Sequence, residues 1–222
     1  VSAGISYAND VDSSYSPLVM SSLLTLLLGC FPLIFVPRSD RISQKEGYCI
    51  VVGAWVVASV VGMFPYLMWG GEFTLINAWF ESVSGFTTTG ASILNEIEAL
   101  PRGLQFWRMS TSWIGGIGVV MFALVILPSI GKSKMMLSHF ELSTLAKDNF
   151  NLYRTPTVVR IVLSVYIGLT IVTTLLLKLC GMSWFDSVCH AMSACGTCGF
   201  STKNSSIAFF DSLNIEIIIM VA

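Results

Sequence analysis

Long uncharged apolar runs alternate along this chain with shorter polar stretches. Three runs contain no charged residue, at positions 17–36, 47–69 and 161–177. A membrane-spanning helix needs about 20 mostly apolar residues, so these runs predict three spans. A fourth run, residues 106–130, carries only Arg108 and predicts another span. A last run from Ile207 contains Asp211 and Glu216, and we expect a further helix there.

Two shorter segments, residues 74–85 (TLINAWFESVSG) and 183–194 (SWFDSVCHAMSA), are apolar enough to enter a membrane but too short to cross it. Each has 12 residues, or about 18 Å of helix at 1.5 Å per residue. The hydrocarbon core is about 30 Å thick. Such a segment must turn back, which is tolerated only where the backbone is buried in protein or lines water. We therefore predict two re-entrant helices.

The two short segments align without gaps at an offset of 109 residues, which pairs Thr74 with Ser183 and Gly90 with Gly199. Each begins with Thr or Ser followed three positions later by Asn or Asp, a pattern typical of a capped helix start. Each is followed by a loop of small and polar residues, FTTTGAS or CGTCGFS. The shared order and length predict an internal repeat of span, short helix, loop and span.

These loops have the chemistry of a cation pathway. The C-terminal end of a helix carries about half a negative charge, and the loop after it can present backbone carbonyls to a dehydrated ion. Threonine adds a hydroxyl oxygen, and glycine is needed where φ is positive or no side chain fits. The candidate filter residues are Thr87, Thr88, Thr89 and Gly90 in the first loop and Gly196, Thr197, Cys198 and Gly199 in the second.

Composition agrees with a membrane protein. The chain is 54% hydrophobic and 11% charged, with a mean hydropathy of +0.76, whereas a soluble domain carries about 25% charged residues. The net charge of −1 provides no basic surface for nucleic acid. The sequence contains no Ser/His/Asp set, carboxylate pair or phosphate loop, so we predict no enzymatic activity.

Basic residues predict the orientation, because cytoplasmic loops are enriched in Lys and Arg. Two connections hold most of the 12 basic residues, namely Arg38, Arg41 and Lys45 in one and Lys132, Lys134, Lys147, Arg154 and Arg160 in the other. We expect these two connections to be cytoplasmic, and the N-terminal stretch and residues 70–105 and 181–206 to lie outside. Residues 133–153 fit either an interfacial helix or a plain connector. Both ends look cut, so we expect a longer protein.

At these residues the chain resembles the Trk/Ktr/HKT superfamily of potassium transporters, and within it the bacterial TrkH-like membrane subunits. Three motifs carry the resemblance: SGFTTTGAS (84–92), WIGGIGVVMFALVILPSIG (113–131) and FDSVCHAMSACGTCGFST (185–202). The resemblance implies an all-α integral membrane protein. Four span–re-entrant pore helix–span repeats would form a pseudo-fourfold, channel-like architecture, of which about half is present here.

The resemblance also implies a division of the chain. Its parts are an outer stretch, one span and a cytoplasmic loop (1–45), a first pore repeat (46–131), a cytoplasmic connector (132–154) and a second repeat truncated in its last helix (155–222). Glycine at both filter positions, Gly90 and Gly199, implies potassium as the ion bound at the eight filter residues, without an organic cofactor. Further implications are a multi-pass protein of the bacterial inner membrane, a cytoplasmic nucleotide-binding regulatory ring as partner, and a homodimer.

Two other functions stay open. Cys195 and Cys198 have the C-x-x-C spacing of thioredoxin-type sites, so a membrane thiol oxidoreductase that uses this pair is one alternative. A non-conducting assembly subunit is the other, because half a pore does not close alone. Cys198 also departs from the small residues expected beside the filter, which suggests sensitivity to thiol reagents.

Three features adjoin the loops. Glu81 and His190 occupy equivalent positions in the two short segments, where a polar side chain either hydrogen-bonds the loop or packs at an ordinary helix interface. Arg108 could form an ion pair, but we expect it to snorkel to the headgroups. Gly115-Gly116-x-Gly118 lies inside an apolar run and predicts close helix packing.

Overall fold

A computed structural model describes residues 1–8, 12–35, 44–138 and 155–222. Within those ranges the chain is helical and contains no strand. The helices are α1 Ser2–Ala8, α2 Tyr15–Phe35, α3 Gln44–Gly62, α4 Phe64–Trp69, α5 Leu75–Phe86, α6 Arg102–Ser138, α7 Thr155–Leu179, α8 Trp184–Cys195 and α9 Leu213–Val221, with short 3-10 helices at Ile97–Ala99 and Ser206–Phe210. The predicted all-α fold is confirmed.

Three stretches of the described chain are long and apolar enough to cross a membrane: Tyr15–Pro32, Glu46–Trp69 and Val159–Leu179. They overlap the three uncharged runs of the sequence, with slightly different bounds. The second stretch is divided, because α3 ends at Gly62 and α4 begins at Phe64 with Pro65 in its first turn. Proline suits a first turn because it lacks a backbone N–H, and an N–H at that position would have no partner within the helix.

Helix α6 has 37 residues, about 55 Å at 1.5 Å per residue, which is more than a bilayer core requires. It passes residue 131, where the sequence suggested the end of the first repeat, and is described as far as Ser138. Residues 139–154 and 36–43 lie outside the described ranges. The orientation, and the choice between an interfacial helix and a plain connector, therefore stay predictions.

The last helix differs from expectation. The sequence predicts a helix from Ile207, but Ser206–Phe210 forms a 3-10 helix and α9 begins only at Leu213. Asp211 separates the two with a left-handed backbone, φ 42° and ψ 48°. A short polar residue tolerates that conformation better than the apolar residues around it, so the helix restarts after Asp211.

The N-terminal segment is fastened to the start of α6 through Asp12. Oδ2 of Asp12 accepts a hydrogen bond from the backbone N of Gly103 at 3.2 Å, which satisfies an N–H that the first turn of a helix leaves free. Its Oδ1 accepts from the hydroxyls of Ser6 and Ser14. A Cβ atom on Gly103 would lie 2.4 Å from Oγ of Ser14, so a side chain at this position would displace a hydroxyl that bonds Asp12.

Helix α6 occupies the centre of the arrangement. It packs against both short helices, α5 and α8. Helix α3 also packs against α5, and α7 packs against α8. Each short helix is therefore held between one span-like helix of its own repeat and the shared helix α6, which brings the two loops that follow α5 and α8 close to one another.

Candidate ion-conducting site

The two short helices are matched in length and in capping. Both have 12 residues, as the sequence predicts. Oγ1 of Thr74 accepts from the backbone N of Asn77 at 3.3 Å, and Oγ of Ser183 accepts from the backbone N of Asp186 at 3.0 Å. The two predicted caps are confirmed, and both helices begin at equivalent residues of the repeat.

The loops after the two helices repeat the same hydrogen bonds. Backbone N–H groups of Thr87, Thr88 and Thr89 donate to the carbonyls of Val83, Gly85 and Ser84 at 2.8, 3.0 and 2.9 Å. At the offset of 109, Gly196, Thr197 and Cys198 donate to Met192, Ala194 and Ser193 at 3.0, 2.8 and 3.0 Å. These bonds satisfy carbonyls that the last helical turn leaves free, and they fold both loops back over the helix ends in one geometry.

Backbone torsions also match between the loops. Thr88 and Thr197 have φ of 55° and 56°, and Gly90 and Gly199 have φ of 75° and 87°. In an extended strand, successive carbonyl groups point to opposite sides. Left-handed torsions at alternate residues of each loop change this pattern, so consecutive carbonyls can face the same side. A threonine at positive φ is an uncommon and strained residue, and such strain persists only where the surrounding structure imposes it.

The two loops meet at Gly90. A Cβ atom on Gly90 would lie 1.8 Å from the carbonyl oxygen of Cys198, which is a main-chain atom that no side-chain rotation moves. A Cβ atom on Gly199 would meet nothing within 4 Å, although its φ still favours glycine. The two equivalent glycines are thus favoured for different reasons. Gly90 combines a positive φ with the close approach of the other loop, whereas Gly199 has only the positive φ.

A buried ion pair lies behind the first loop. Nε of Arg108 is 2.7 Å from Oε1 of Glu81, and both side chains have 0% exposure. The expectation that Arg108 snorkels to the headgroups is wrong. A charge placed within a membrane segment is stabilised by a partner, and Glu81 supplies one from α5. The signal in the sequence was a lone arginine and a lone glutamate in segments otherwise without charge.

Helix α8 supports its own loop through a histidine. Nδ1 of His190 lies 2.8 Å from the carbonyl of Asp186, and Nε2 lies 3.0 Å from Oγ of Ser201. A carbonyl only accepts, so Nδ1 carries a proton and, in the neutral ring, Nε2 accepts from the hydroxyl. Of the two roles considered for His190, hydrogen bonding to the loop is confirmed.

The predicted close packing of the glycine motif is confirmed. A Cβ atom on Gly115 would lie 2.3 Å from the carbonyl oxygen of Phe86, and one on Gly116 would lie 2.8 Å from Cα of Gly196. Phe86 ends α5 and Gly196 follows α8. Consecutive glycines on α6 therefore admit the C-terminal ends of both short helices, which fixes where the two loops begin.

The C-x-x-C pair is divided between helix and loop. Cys195 is the last residue of α8 and Cys198 lies in the loop, and both are free thiols. Cys198 is buried in an apolar cluster with Met109, Cys189 and Phe200. In the described part of the chain, no group of three or more His, Cys, Asp or Glu residues is placed to hold a metal ion.

Two short helices, each set among apolar helices and followed by a loop with the same left-handed torsions, define the class of membrane proteins built from repeats of span, short helix, loop and span. Residues 23–222 match the family model TrkH, described as a cation transport protein. The chain belongs to this family, and it is a multi-pass membrane protein.

Comparisons with individual relatives agree with this family assignment. The chain is 36% identical over 185 residues to the Trk system potassium uptake protein TrkH of Salmonella typhimurium, covering 83% of this chain and 38% of that protein. It is 37% identical over 157 residues to TrkI of Halomonas elongata, covering 71% and 32%. The crystal structure of the potassium transporter TrkH from Vibrio parahaemolyticus matches with a TM-score of 0.84 at 28% identity, covering 99% of this chain and 44% of that one. The chain thus spans less than half the length of these relatives.

Proposed function

We propose that the full-length protein conducts potassium across the bacterial inner membrane, and that this chain supplies two of the loops that form its filter. The observation that carries the proposal is the duplicated loop with left-handed residues at Thr88, Gly90, Thr197 and Gly199. The ligands would be backbone carbonyls of residues 87–90 and 196–199, and the side chain of Cys198 would remain in the core.

Electrostatics supports a cation at these loops. Both loops follow the C-terminal ends of short helices, α5 and α8, where the helix dipole places about half a negative charge. Carbonyl oxygens can replace the hydration shell of potassium. Glycine at both filter positions agrees with this ion, and the curated relatives named above are potassium uptake proteins.

The membership of the family supports further proposals about the rest of the pathway, the oligomeric state and the partner. The rest of the pathway would come from further repeats of the full-length protein. We also propose a homodimer that binds a cytoplasmic nucleotide-binding regulatory ring, with potassium as the bound ion and no organic cofactor. The relatives are named as uptake proteins, which supports transport rather than catalysis as the role of this protein.

Flux in liposomes tests the proposal. The full-length protein is reconstituted, and rubidium uptake is measured against competing potassium or sodium, with protein-free liposomes as the control. We expect uptake that potassium suppresses at much lower concentration than sodium does. Absence of uptake, or equal competition by the two ions, would contradict a potassium pathway.

A further inference from the structure

The contacts of Arg108 extend beyond its ion pair and reach both repeats. Nη2 of Arg108 donates to Oγ of Ser92 at 3.1 Å, in the first repeat. Nη1 lies 3.5 Å from the carbonyl oxygen of Ser201, in the second, at the long end of hydrogen-bonding range. The guanidinium carbon lies 4.2 Å from the centroid of the Phe200 ring, a cation–π contact.

Ser92 and Ser201 are equivalent residues of the repeat. Each stands two positions after its filter glycine, Gly90 or Gly199. One guanidinium group therefore touches the segment that follows each filter loop, at the same position in both. We call these two segments the outgoing strands, although they belong to no sheet. Only arginine presents several donors in a rigid planar fork, so a single side chain can bond in more than one direction here.

Glu81 completes the arrangement on the first strand. Its carboxylate accepts from Oγ of Ser92 at 3.0 and 3.2 Å and from the backbone N of Ile93 at 3.2 Å. In the second repeat the equivalent residue, His190, contacts Ser201. Each short helix thus holds the outgoing strand of its own repeat. Arg108 contacts both outgoing strands and so connects the two repeats.

Burial of this pair is costly, since removing two charges from water offsets much of their attraction. A hydrophobic pair would fill the same space without that cost. The charged pair supplies directional bonds to main-chain and hydroxyl groups on two strands, which a hydrophobic pair lacks. We therefore expect the Arg108–Glu81 pair to contribute mainly by fixing the positions of these strands, and less by adding stability.

We propose that Arg108 is a positioning residue for ion selectivity, which holds the outgoing strands of the two filter loops in register. This proposal rests on the potassium pathway proposed above. Selection by a carbonyl cage depends on where its oxygens are held, so releasing one strand from the other is expected to reduce discrimination between potassium and sodium.

The test compares two matched double variants of the full-length protein. Glu81→Gln/Arg108→Gln removes both buried charges and leaves neither unpaired. Glu98→Gln/Lys203→Gln likewise neutralises both partners of a more exposed ion pair, with an N–O distance of 3.4 Å and side-chain exposures of 42% and 23%. Rubidium uptake in liposomes, competed by potassium or sodium at equal protein amount, gives the discrimination ratio.

We expect the ratio to fall in the buried double variant, because the carbonyl oxygens of the two loops are no longer held in position, and to stay unchanged in the exposed one. Wild-type discrimination in a well-expressed Glu81→Gln/Arg108→Gln protein overturns the proposal. Wild-type protein without rubidium uptake overturns the potassium pathway itself, and this proposal with it.

A conservative variant separates positioning from folding. Arg108→Lys keeps the charge beside Glu81 but replaces the planar fork with one compact ammonium group. We expect near-normal expression with reduced discrimination, and unchanged discrimination counts against the proposal. If neither Glu81→Gln/Arg108→Gln nor Arg108→Lys yields folded protein in the membrane, the ion pair is required for folding alone, and the positioning role is overturned.

Discussion

The carbonyl oxygen of Cys198 occupies the space that a side chain on Gly90 would need. The distance from that oxygen to an ideal Cβ atom is 1.8 Å, and both residues belong to filter loops held by short helices. Neither loop can withdraw without breaking the backbone hydrogen bonds that fold it back over its helix. The relationship therefore makes Gly90 the most constrained position of the candidate site.

Gly90→Ala should strongly reduce rubidium uptake by the full-length protein, because the methyl group forces the two loops apart. Gly53→Ala is a suitable control, since Gly53 lies in α3 and a Cβ atom there would meet nothing within 4 Å. Alanine should stabilise that helix by about 0.5–1 kcal/mol. Equal uptake by the two variants, measured at matched expression, would argue against contact between the loops.

Thr88→Gly should relieve backbone strain, because threonine at a φ of 55° costs on the order of 1–3 kcal/mol. We expect an unchanged or higher melting temperature together with weaker potassium-over-sodium discrimination, since glycine frees the carbonyl. Thr89→Gly serves as the comparison, because Thr89 has no left-handed torsion and its hydroxyl pairs with that of Thr87 at 2.8 Å. A larger loss of thermal stability at Thr88 than at Thr89 would contradict the strain argument.

Asp12→Ala should destabilise the protein by about 1 kcal/mol or more, because it removes a helix cap and leaves the hydroxyls of Ser6 and Ser14 without their acceptor. Thermal unfolding of the purified protein in detergent measures the effect. Glu72→Ala, an exposed carboxylate in an outer connection by our orientation, should change little. Equal melting temperatures for the two variants would show that the Asp12 cap adds nothing.

The same carboxylate predicts a pH dependence. Burial acts to raise the pKa of Asp12, but hydrogen bonds from Ser14, Ser6 and the backbone of Gly103 outweigh it, and the pKa lies below its ordinary value. The stabilisation is therefore complete above the ordinary pKa of aspartate and is lost as pH falls through the lowered value. Wild-type and Asp12→Ala proteins should converge in melting temperature only in strong acid, and a constant difference down to that range would contradict the assignment.

Replacement of both Cys195 and Cys198 by serine should leave rubidium uptake largely intact, because backbone carbonyls and not thiols are the proposed ligands. Some loss of stability is expected from a hydroxyl in the apolar cluster that holds Cys198. A thiol oxidoreductase also predicts unaffected transport, but it predicts in addition that the double variant loses a redox activity that the wild-type protein has. Uptake that disappears in a well-folded double variant would place the thiols in the conduction path.

The sequence by itself determined the local elements of this protein. Uncharged runs predicted three spans, and the 12-residue lengths of the two short helices follow from segments bounded by cap residues and small polar loops. The caps at Thr74 and Ser183 depend on neighbours three positions away. Such features are decided by residues close in the chain, so periodicity, length and residue type suffice to find them.

Only the tertiary structure decided which distant residues meet. Arg108 and Glu81 are 27 positions apart, and the rotation of α6 against α5 determines whether the arginine faces its partner or the headgroups. Gly90 and Cys198 come together because consecutive glycines of α6 admit the ends of both short helices. Helix rotation and approach depend on packing over the whole interface, which no local pattern of residues specifies.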